Sequence, residues 1–198
     1  MNFLKTSIAL CLVVFSFNAS AYTIQNVGEF YGYTYNEFLK KNIKQKATVW
    51  VGITEKGEEI VTVRFHTGLK DIDMSLNRQS KQYEYFVNSI NKTVEWHEIA
   101  KSNSVDITKQ FDKIKGEGCS TWSSWCSISF EAFSNGQNAV MWMHLEDTDN
   151  QFYTFSGQLN MNNITLLKEI LDTQVEIGLE ARRVALNDDP ADKEALFN

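Results

Sequence analysis

Mostly apolar residues fill the segment 47–54, and apolar and polar residues alternate over 60–66, with the turn "EKGEE" between the two segments. Both segments are rich in β-branched and aromatic residues, the composition typical of strands. The second segment alternates strictly, with apolar residues on one face and polar residues on the other: Val61, Val63 and Phe65 against Thr62, Arg64 and His66. The pattern predicts a β-hairpin.

Three further strands are predicted at 125–134, 139–146 and 151–158, because the turn-forming sequences "NGQN" and "DTDN" separate them. Such spacing predicts an antiparallel meander. The middle strand is apolar on both faces, which indicates that it is covered on both sides or meets a partner on one. Its apolar residues fall into two sets: Val140 and Trp142, and Met141, Met143 and Leu145. Trp142 and Trp50 are both expected in the core.

Two segments have helical instead of strand periodicity. The first, 78–102, has apolar residues at helical spacing, among them Tyr83, Phe86, Val87, Ile90 and Val94. The second begins near Asn162 or Asn163, either of which can cap it, and ends near Val184. Its apolar stripe consists of Ile164, Leu167, Leu171, Val175 and Leu179.

The order of elements predicts an α+β fold, in which a curved antiparallel sheet, made of a hairpin and a three-stranded meander, packs against two amphipathic helices. The segment before the hairpin has two interpretations. Thr34 and Glu37 have capping-box spacing, which predicts a short helix over 35–44. Alternating tyrosines, Tyr31, Tyr33 and Tyr35, suit an edge strand equally well.

The first 21 residues predict export. Lys5 is followed by an apolar run from Ile8 to Phe17 and then by Ala19-Ser20-Ala21, the pattern of a cleaved signal peptide. The run is shorter than the roughly 20 residues that span a bilayer. We therefore expect a periplasmic or secreted protein with one α+β domain over residues 22–185 and an acidic flexible tail over 186–198.

The charge balance excludes some partners. Without Lys5, the chain has 18 basic against 25 acidic residues. Nucleic-acid binding needs clustered basic residues that contact phosphates, so no nucleic-acid partner is expected. The lysine-rich stretch "LKKNIKQK" at 39–46 is read as a solvated face or as a docking patch for an acidic partner.

Two cysteines remain after the predicted cleavage, Cys119 and Cys126, which bracket the stretch "CSTWSSWC". In an oxidising compartment such a pair predicts a disulfide. The ring is small, so it contributes roughly 2.5 kcal/mol at most in the chain-entropy model. The predicted disulfide then fixes the entry to the first strand of the meander, with Trp122 and Trp125 in or beside the loop.

Candidate chemistry is sparse. Each histidine is alone in its element and no metal-ligand spacing occurs, so we expect no metal site and no cofactor. No nucleophile motif occurs either, and the catalytic residues of an enzyme cannot be chosen from the sequence. Glu131 and Glu146 lie on neighbouring predicted strands and are the one carboxylate pair that we consider for a hydrolase.

These observations favour a small exported, non-enzymatic binding protein, with another protein of the cell envelope as its partner. An immunity-type or inhibitor-type role is the concrete version. Candidate binding residues are the aromatic ones with predicted exposure: Trp122, Trp125, Tyr31 and Tyr33. The alternatives are an envelope-polymer hydrolase with paired carboxylates and a carrier of an apolar or sugar ligand.

Overall fold

A computed structural model describes residues 24–36, 38–66, 71–116, 126–147 and 154–187. The predicted signal peptide lies outside the described residues, as does the tail beyond Asn187. The described residues form nine strands: β1 Ile24–Asn36, β2 Lys41–Ile53, β3 Glu59–His66, β4 Asp71–Asn77, β5 Ile107–Gln110, β6 Ile114–Gly116, β7 Cys126–Ser134, β8 Ala139–Asp147 and β9 Thr154–Asn160. The helices are α1 Lys81–Asn103, α2 Met161–Glu169 and α3 Val175–Asn187, the last two joined by a π-helical turn, Ile170–Gln174.

The strands form one antiparallel sheet in the order β4-β3-β2-β1-β9-β8-β7-β5. Nine strands occupy eight positions because β5 and β6 pair with successive parts of β7. The described strands β4 and β5 stand at opposite ends of this order, so the sheet is open. The predicted α+β class is thus confirmed, while the curvature of the sheet stays a prediction.

The two halves of the sheet meet at a narrow seam between β1 and β9. Tyr33 and Gln158 form the register pair that joins these strands. Beyond that point the backbone N–H of Tyr31 donates to Oδ1 of Asn163 instead, at 2.9 Å. An amide side chain from α2 therefore supplies a hydrogen bond where the two strands separate.

The core lies between the helices and one face of the sheet. Alternate strand residues, such as Phe30, Val63 and Met143, are buried together with Phe86 of α1 and Leu167 of α2. Phe30 meets Phe65 edge-to-face, with ring centroids 6.2 Å apart. Because successive strand residues point to opposite faces, this burial also defines the face that the helices leave open.

Helix α1 follows the prediction to within three residues at its start and one at its end. Ser80 caps it, since its side chain accepts from the N–H of Tyr83 at 3.2 Å. Near the other end, buried His97 shares a hydrogen bond of 2.9 Å with Ser134, the last residue of β7. The helix therefore joins the sheet through a polar contact as well as through the core.

The C-terminal helix buries its predicted stripe, from Ile164 to Leu179. Apolar positions beyond Leu167 recur every four residues, whereas a regular α-helix turns every 3.6. The wider π-helical turn takes up the extra residue, so the stripe stays on the sheet. The predicted cap is wrong by two or three positions: Asn160 caps the helix, and its Oδ1 accepts from the N–H of Asn163 at 3.1 Å.

Several segments differ from expectation. The hairpin and the meander are present, but the helix predicted over 35–44 is wrong, because β1 and β2 form a long hairpin there. This places β1 inside the sheet order and not at an edge. Strand β4 and the short strands β5 and β6 were not predicted. The helix continues to Asn187, two residues into the predicted tail.

No helix in the described part of the chain is both long and apolar enough to cross a membrane.

Candidate functional site

Half of the strand side chains point away from the helices and form a surface that we term the helix-free face. The register places these residues in rows that cross the sheet from strand to strand. Among the described residues, the buried side chains of the helices pack against the strand side chains of the opposite face. The main members of the helix-free face are Glu29, Tyr31, Tyr33, Lys44, Lys46, Thr48, Trp50, Arg64, His66, Asp71, Asp73, Glu131, Trp142, His144, Ser156 and Gln158.

Tyrosines of β1 run along the middle of this face. Tyr31 and Tyr33 are half-buried, and Tyr35 is 56% exposed. The Lys44 ammonium lies 3.8 Å from the centre of the Tyr31 ring, in a cation–π contact. Two lysines of the predicted lysine-rich stretch therefore have specific partners, because Lys46 also pairs with Glu29 at 2.6 Å. Hydrogen bonding and attraction to that carboxylate raise the pKa of Lys46.

A chain of hydrogen bonds crosses three strands beside these tyrosines. The indole Nε1 of Trp50 donates to Oγ1 of Thr48 at 2.9 Å. That hydroxyl is 3.1 Å from Nε2 of His66, and the Nδ1 of His66 is 2.9 Å from the Asp71 carboxylate. One assignment of protons satisfies all four groups: Thr48 donates to His66, which donates to Asp71. The chain holds the Trp50 ring in place on the face.

The next row contains a bidentate ion pair. Both Nε and Nη2 of Arg64 donate to Asp73, each at 2.7 Å. The hydrogen bonds to the Asp73 carboxylate raise the pKa of Arg64, although partial burial opposes the shift. The guanidinium carbon lies 5.9 Å from the centre of the Trp50 ring. Arg64 is therefore fixed in one orientation, with its guanidinium over the Trp50 ring.

One row crosses the seam between the halves of the sheet. Tyr33 is the register partner of Gln158, Gln158 of Trp142, and Trp142 of Glu131. Adjacent strands are about 4.8 Å apart, so the backbones of Tyr33 and Trp142 are separated by roughly 10 Å, with an amide between them. The amide nitrogen of Asn42 approaches Oε1 of Gln158 at 3.5 Å. The row presents two aromatic rings with hydrogen-bonding groups between and beside them.

The order Asp71, His66, Thr48 matches that of a nucleophilic triad. Thr48, however, is only 3% exposed, and its oxygen already accepts from Trp50. A nucleophile must reach the substrate, so this geometry serves to fix side chains and does not suit attack on a bound molecule.

Other predicted chemistry is not brought together. The three histidines have separate partners: Thr48 and Asp71 for His66, Ser134 for His97 and Ser156 for His144. Within the described ranges no three His, Cys, Asp or Glu residues group as metal ligands. Glu131 faces Trp142, four residues from Glu146 along β8, a backbone separation of roughly 13 Å. The side chain of Glu146 is not among those described, so this pair of carboxylates stays a prediction.

Part of the predicted site lies outside the described residues. This applies to Cys119, Trp122 and Trp125. Cys126 begins β7, but its side chain is not among those described. The disulfide and the two loop tryptophans therefore stay predictions. Tyr31 and Tyr33 are placed on the helix-free face, and their role in binding also stays a prediction.

Cavities that the structure describes are open grooves. Three have volumes of about 690, 600 and 440 Å³ and lie along α1, along α3 and at the end of β4. None of these three provides the closed apolar cavity that a carrier needs.

Sequence reasoning missed two aromatic members of the face. Trp50 and Trp142 are half-buried on the helix-free face, so the expectation that both belong to the core is wrong. The alternation of faces along a strand could have shown this. Trp50 lies between buried Val49 and Val51, and Trp142 lies between buried Met141 and Met143, so both tryptophans point to the opposite face.

The chain matches no protein-family model, no curated protein and no solved structure at a significant level, so the functional argument rests on this geometry.

Proposed function

We propose that this protein is a non-enzymatic binding protein that recognises a partner protein through the helix-free face. The observation that carries the proposal is the aromatic surface formed by Tyr31, Tyr33, Trp50 and Trp142, in which contacts hold the rings of Trp50 and Tyr31. The signal peptide predicted from the sequence supports an encounter outside the cytoplasm, and an immunity-type or inhibitor-type role in the cell envelope fits such a surface.

Tyrosine and tryptophan supply most of the binding energy at protein interfaces, where they act as buried anchors. Ordering a free side chain on binding costs roughly 0.5–1.5 kcal/mol. The Trp50 ring is already held by Thr48 and supported by Arg64, and the Tyr31 ring by Lys44. These anchors therefore lose little freedom when a partner binds.

The size of the face suits a protein partner. Eight strand positions about 4.8 Å apart give a width of roughly 34 Å, and seven residues of strand give a length of roughly 23 Å. The product is close to the roughly 800 Å² that each partner buries in a standard interface.

Charges on the face neutralise one another. Lys46 pairs with Glu29, and Arg64 pairs with Asp73. Such a surface exerts little long-range attraction, so association should depend weakly on salt. Shape and aromatic contacts then decide which partner is recognised.

A sugar ligand is the second candidate, and the row across the seam favours it. Tyr33 and Trp142 can each stack on a sugar ring, while Gln158 and Asn42 offer amides to its hydroxyl groups. This reading needs only one row of the face, whereas a protein partner uses several.

The test is the loss of binding when the seam row is truncated. The wild-type chain is used to capture its partner from envelope extract, and the purified partner is then titrated against variants. Truncating each of these anchors should cost about 2 kcal/mol of binding free energy. We therefore expect Tyr33→Ala with Trp142→Ala to raise the Kd at least 100-fold. Ile177→Ala is the matched control, because Ile177 is 57% exposed on α3, away from this face.

Equal affinity of the double variant and the control for the captured partner would contradict the proposal. A double variant that loses binding to an arrayed glycan, with no protein captured by the wild type, would favour the sugar ligand. Circular dichroism of each variant establishes that the fold is retained.

A further inference from the structure

A groove of about 690 Å³ lies between α1 and the end of the sheet at β5, and we term it the lysine groove. It is separate from the helix-free face. On its β5 side, Lys109 and Phe111 lie opposite buried residues of β7 and therefore belong to the face of the sheet that the helices cover. Its lining residues are Lys81, Glu84, Tyr85, Asn88, Ser89 and Lys92, with Trp96, Lys109, Gln110, Phe111 and Asp112.

Aromatic side chains form one wall of the lysine groove. Trp96 and Phe111 are stacked, with ring centroids 5.0 Å apart and an angle of 29° between the rings. Tyr85 meets Phe111 edge-to-face at 6.4 Å, and its hydroxyl donates to the backbone carbonyl of Asp112. Burial raises the pKa of Tyr85, so its hydroxyl remains protonated in this contact. The wall is therefore apolar, rigid and tied to both sides of the groove.

Lysines give the groove a positive balance in an acidic chain. Three lysines, Lys81, Lys92 and Lys109, line it together with two acidic residues, Glu84 and Asp112. The three lysines form no ion pair with the described residues. Lys81 and Lys92 are 11 residues apart on α1, which is roughly 16 Å along the helix axis and matches about five residues of extended chain.

The free edge of β5 runs beside the groove. The N–H of Phe111 donates to the carbonyl of Phe130 at 2.9 Å, which fixes the phase of the ladder with β7. In an antiparallel pair the hydrogen-bonded positions alternate, so Thr108 and Gln110 direct their backbone N–H and C=O groups away from β7. No described strand pairs with that edge, because β5 ends the sheet order.

From these features we infer that an extended acidic peptide binds by adding as a strand to β5. Its backbone pairs with Thr108 and Gln110, and every second side chain enters the lysine groove. There the apolar side chains contact Trp96 and Phe111, and the carboxylates meet the lysines. Strand addition of this kind takes its affinity from the backbone and its specificity from alternate side chains.

The opposite edge of the sheet does not suit the same ligand. Strand β4 has no lysine to meet the carboxylates of the peptide, and its charged residues are Asp71 and Asp73, which contact His66 and Arg64. The peptide therefore selects β5 over β4, although both are edge strands.

The experiment titrates the whole chain after residue 21 with fluorescein-labelled octapeptides, followed by fluorescence anisotropy. The first probe has threonine at every second position, and glutamate and leucine alternate at the positions between, so that one face of the strand carries both. The second has the same sequence with alternate backbone amides N-methylated, which blocks strand pairing and keeps the charge. The third replaces glutamate by lysine. We expect micromolar binding of the first probe, and at least tenfold weaker binding of the other two.

Two sets of variants separate the contributions of the backbone and of the charge. Thr108→Pro removes one outward N–H, and the ladder with β7 is kept because proline is tolerated at such edge positions. Lys92→Glu with Lys109→Glu reverses the charge of the groove. Each set should weaken binding of the first probe at least tenfold, whereas Tyr33→Ala with Trp142→Ala should leave its binding unchanged. That last variant keeps this test independent of the proposed function.

Three results would overturn the inference. The first is no binding of the first probe. The second is binding of the N-methylated probe as tight as that of the first. The third is binding of an acidic oligosaccharide, such as oligogalacturonate, together with no binding of the first probe. If Thr108→Pro does not fold, the N-methylated probe still decides whether strand pairing is required.

Discussion

Gly136→Ala is expected to destabilise the protein by about 3 kcal/mol. Gly136 has a φ of +77°, where an added Cβ costs roughly 1–2 kcal/mol in backbone strain. The new Cβ would also lie 2.8 Å from the Cα and 2.9 Å from the backbone nitrogen of Lys101, near the end of α1. Backbone atoms cannot rotate away, so the helix and the turn must separate, at a further cost of roughly 1–3 kcal/mol.

Gly57→Ala is a matched control for this prediction. Gly57 has nearly the same φ, +78°, but nothing lies within 4 Å of its added Cβ. It should therefore show the strain alone, about 1 kcal/mol. Urea unfolding followed by circular dichroism measures both variants. Equal losses for Gly136→Ala and Gly57→Ala would mean that α1 does not pack against the turn between β7 and β8.

Glu59→Gln is expected to destabilise the protein by about 2 kcal/mol at pH 7. The Glu59 side chain is 16% exposed and accepts from Arg78 at 2.9 Å and from Nε of Arg183 at 3.0 Å. It joins the start of β3, the segment before α1 and the C-terminal helix. Removing its charge leaves Arg78 and Arg183 with the more exposed Glu176 as their shared carboxylate. Hydrogen bonds to charged groups contribute roughly 1.5–3 kcal/mol each.

The stabilities of the wild type and of Glu59→Gln should depend differently on pH. Burial alone would raise the pKa of Glu59, but the hydrogen bonds from Arg183 and Arg78 outweigh it and hold the pKa below the usual 4.5. A carboxyl group with a lowered folded-state pKa stabilises fully above its unfolded-state pKa, and loses that contribution as the pH falls through the folded-state value. The gap between wild type and Glu59→Gln should therefore close below about pH 4.5.

Urea unfolding at pH 7 and pH 3 measures this gap. Glu180→Gln is the control, because Glu180 also pairs with Arg183, at 2.7 Å, but is 62% exposed. An exposed pair contributes little, so this variant should stay within about 0.5 kcal/mol of wild type. A gap for Glu59→Gln that stays constant with pH would show that the effect comes from packing and not from charge.

Periodicity predicted most of the fold, and its failures have physical causes. Strand β4 reads as a loop because Asp71 and Asp73 are poor strand residues, yet His66 and Arg64 of the neighbouring strand form hydrogen bonds with them. The capping-box spacing at Thr34 favoured a helix. Tertiary packing overrode it: Gly28 lies so close to Ile170 that a Cβ would be 2.7 Å from that side chain, which fixes β1 against the C-terminal helix.

The candidate site was less accessible to sequence reasoning. Alternation drew attention to Tyr31 and Tyr33, but aromatic content alone placed Trp50 and Trp142 in the core. Tyr33, Trp142 and Gln158 form one row only because β1 pairs with β9, more than 120 residues later in the chain. No local pattern encodes that pairing, so the row across the seam appears only once the sheet order is known.

Site-specific photo-crosslinking in the native cell tests the central claim most directly. Replacing Tyr33 by p-benzoylphenylalanine keeps an aromatic ring on the helix-free face, and the same replacement of Ile177 places the probe on α3. We expect one defined crosslinked protein from position 33 and none from position 177. A crosslink from position 177 alone, or from neither position, would contradict recognition of a partner protein through the helix-free face.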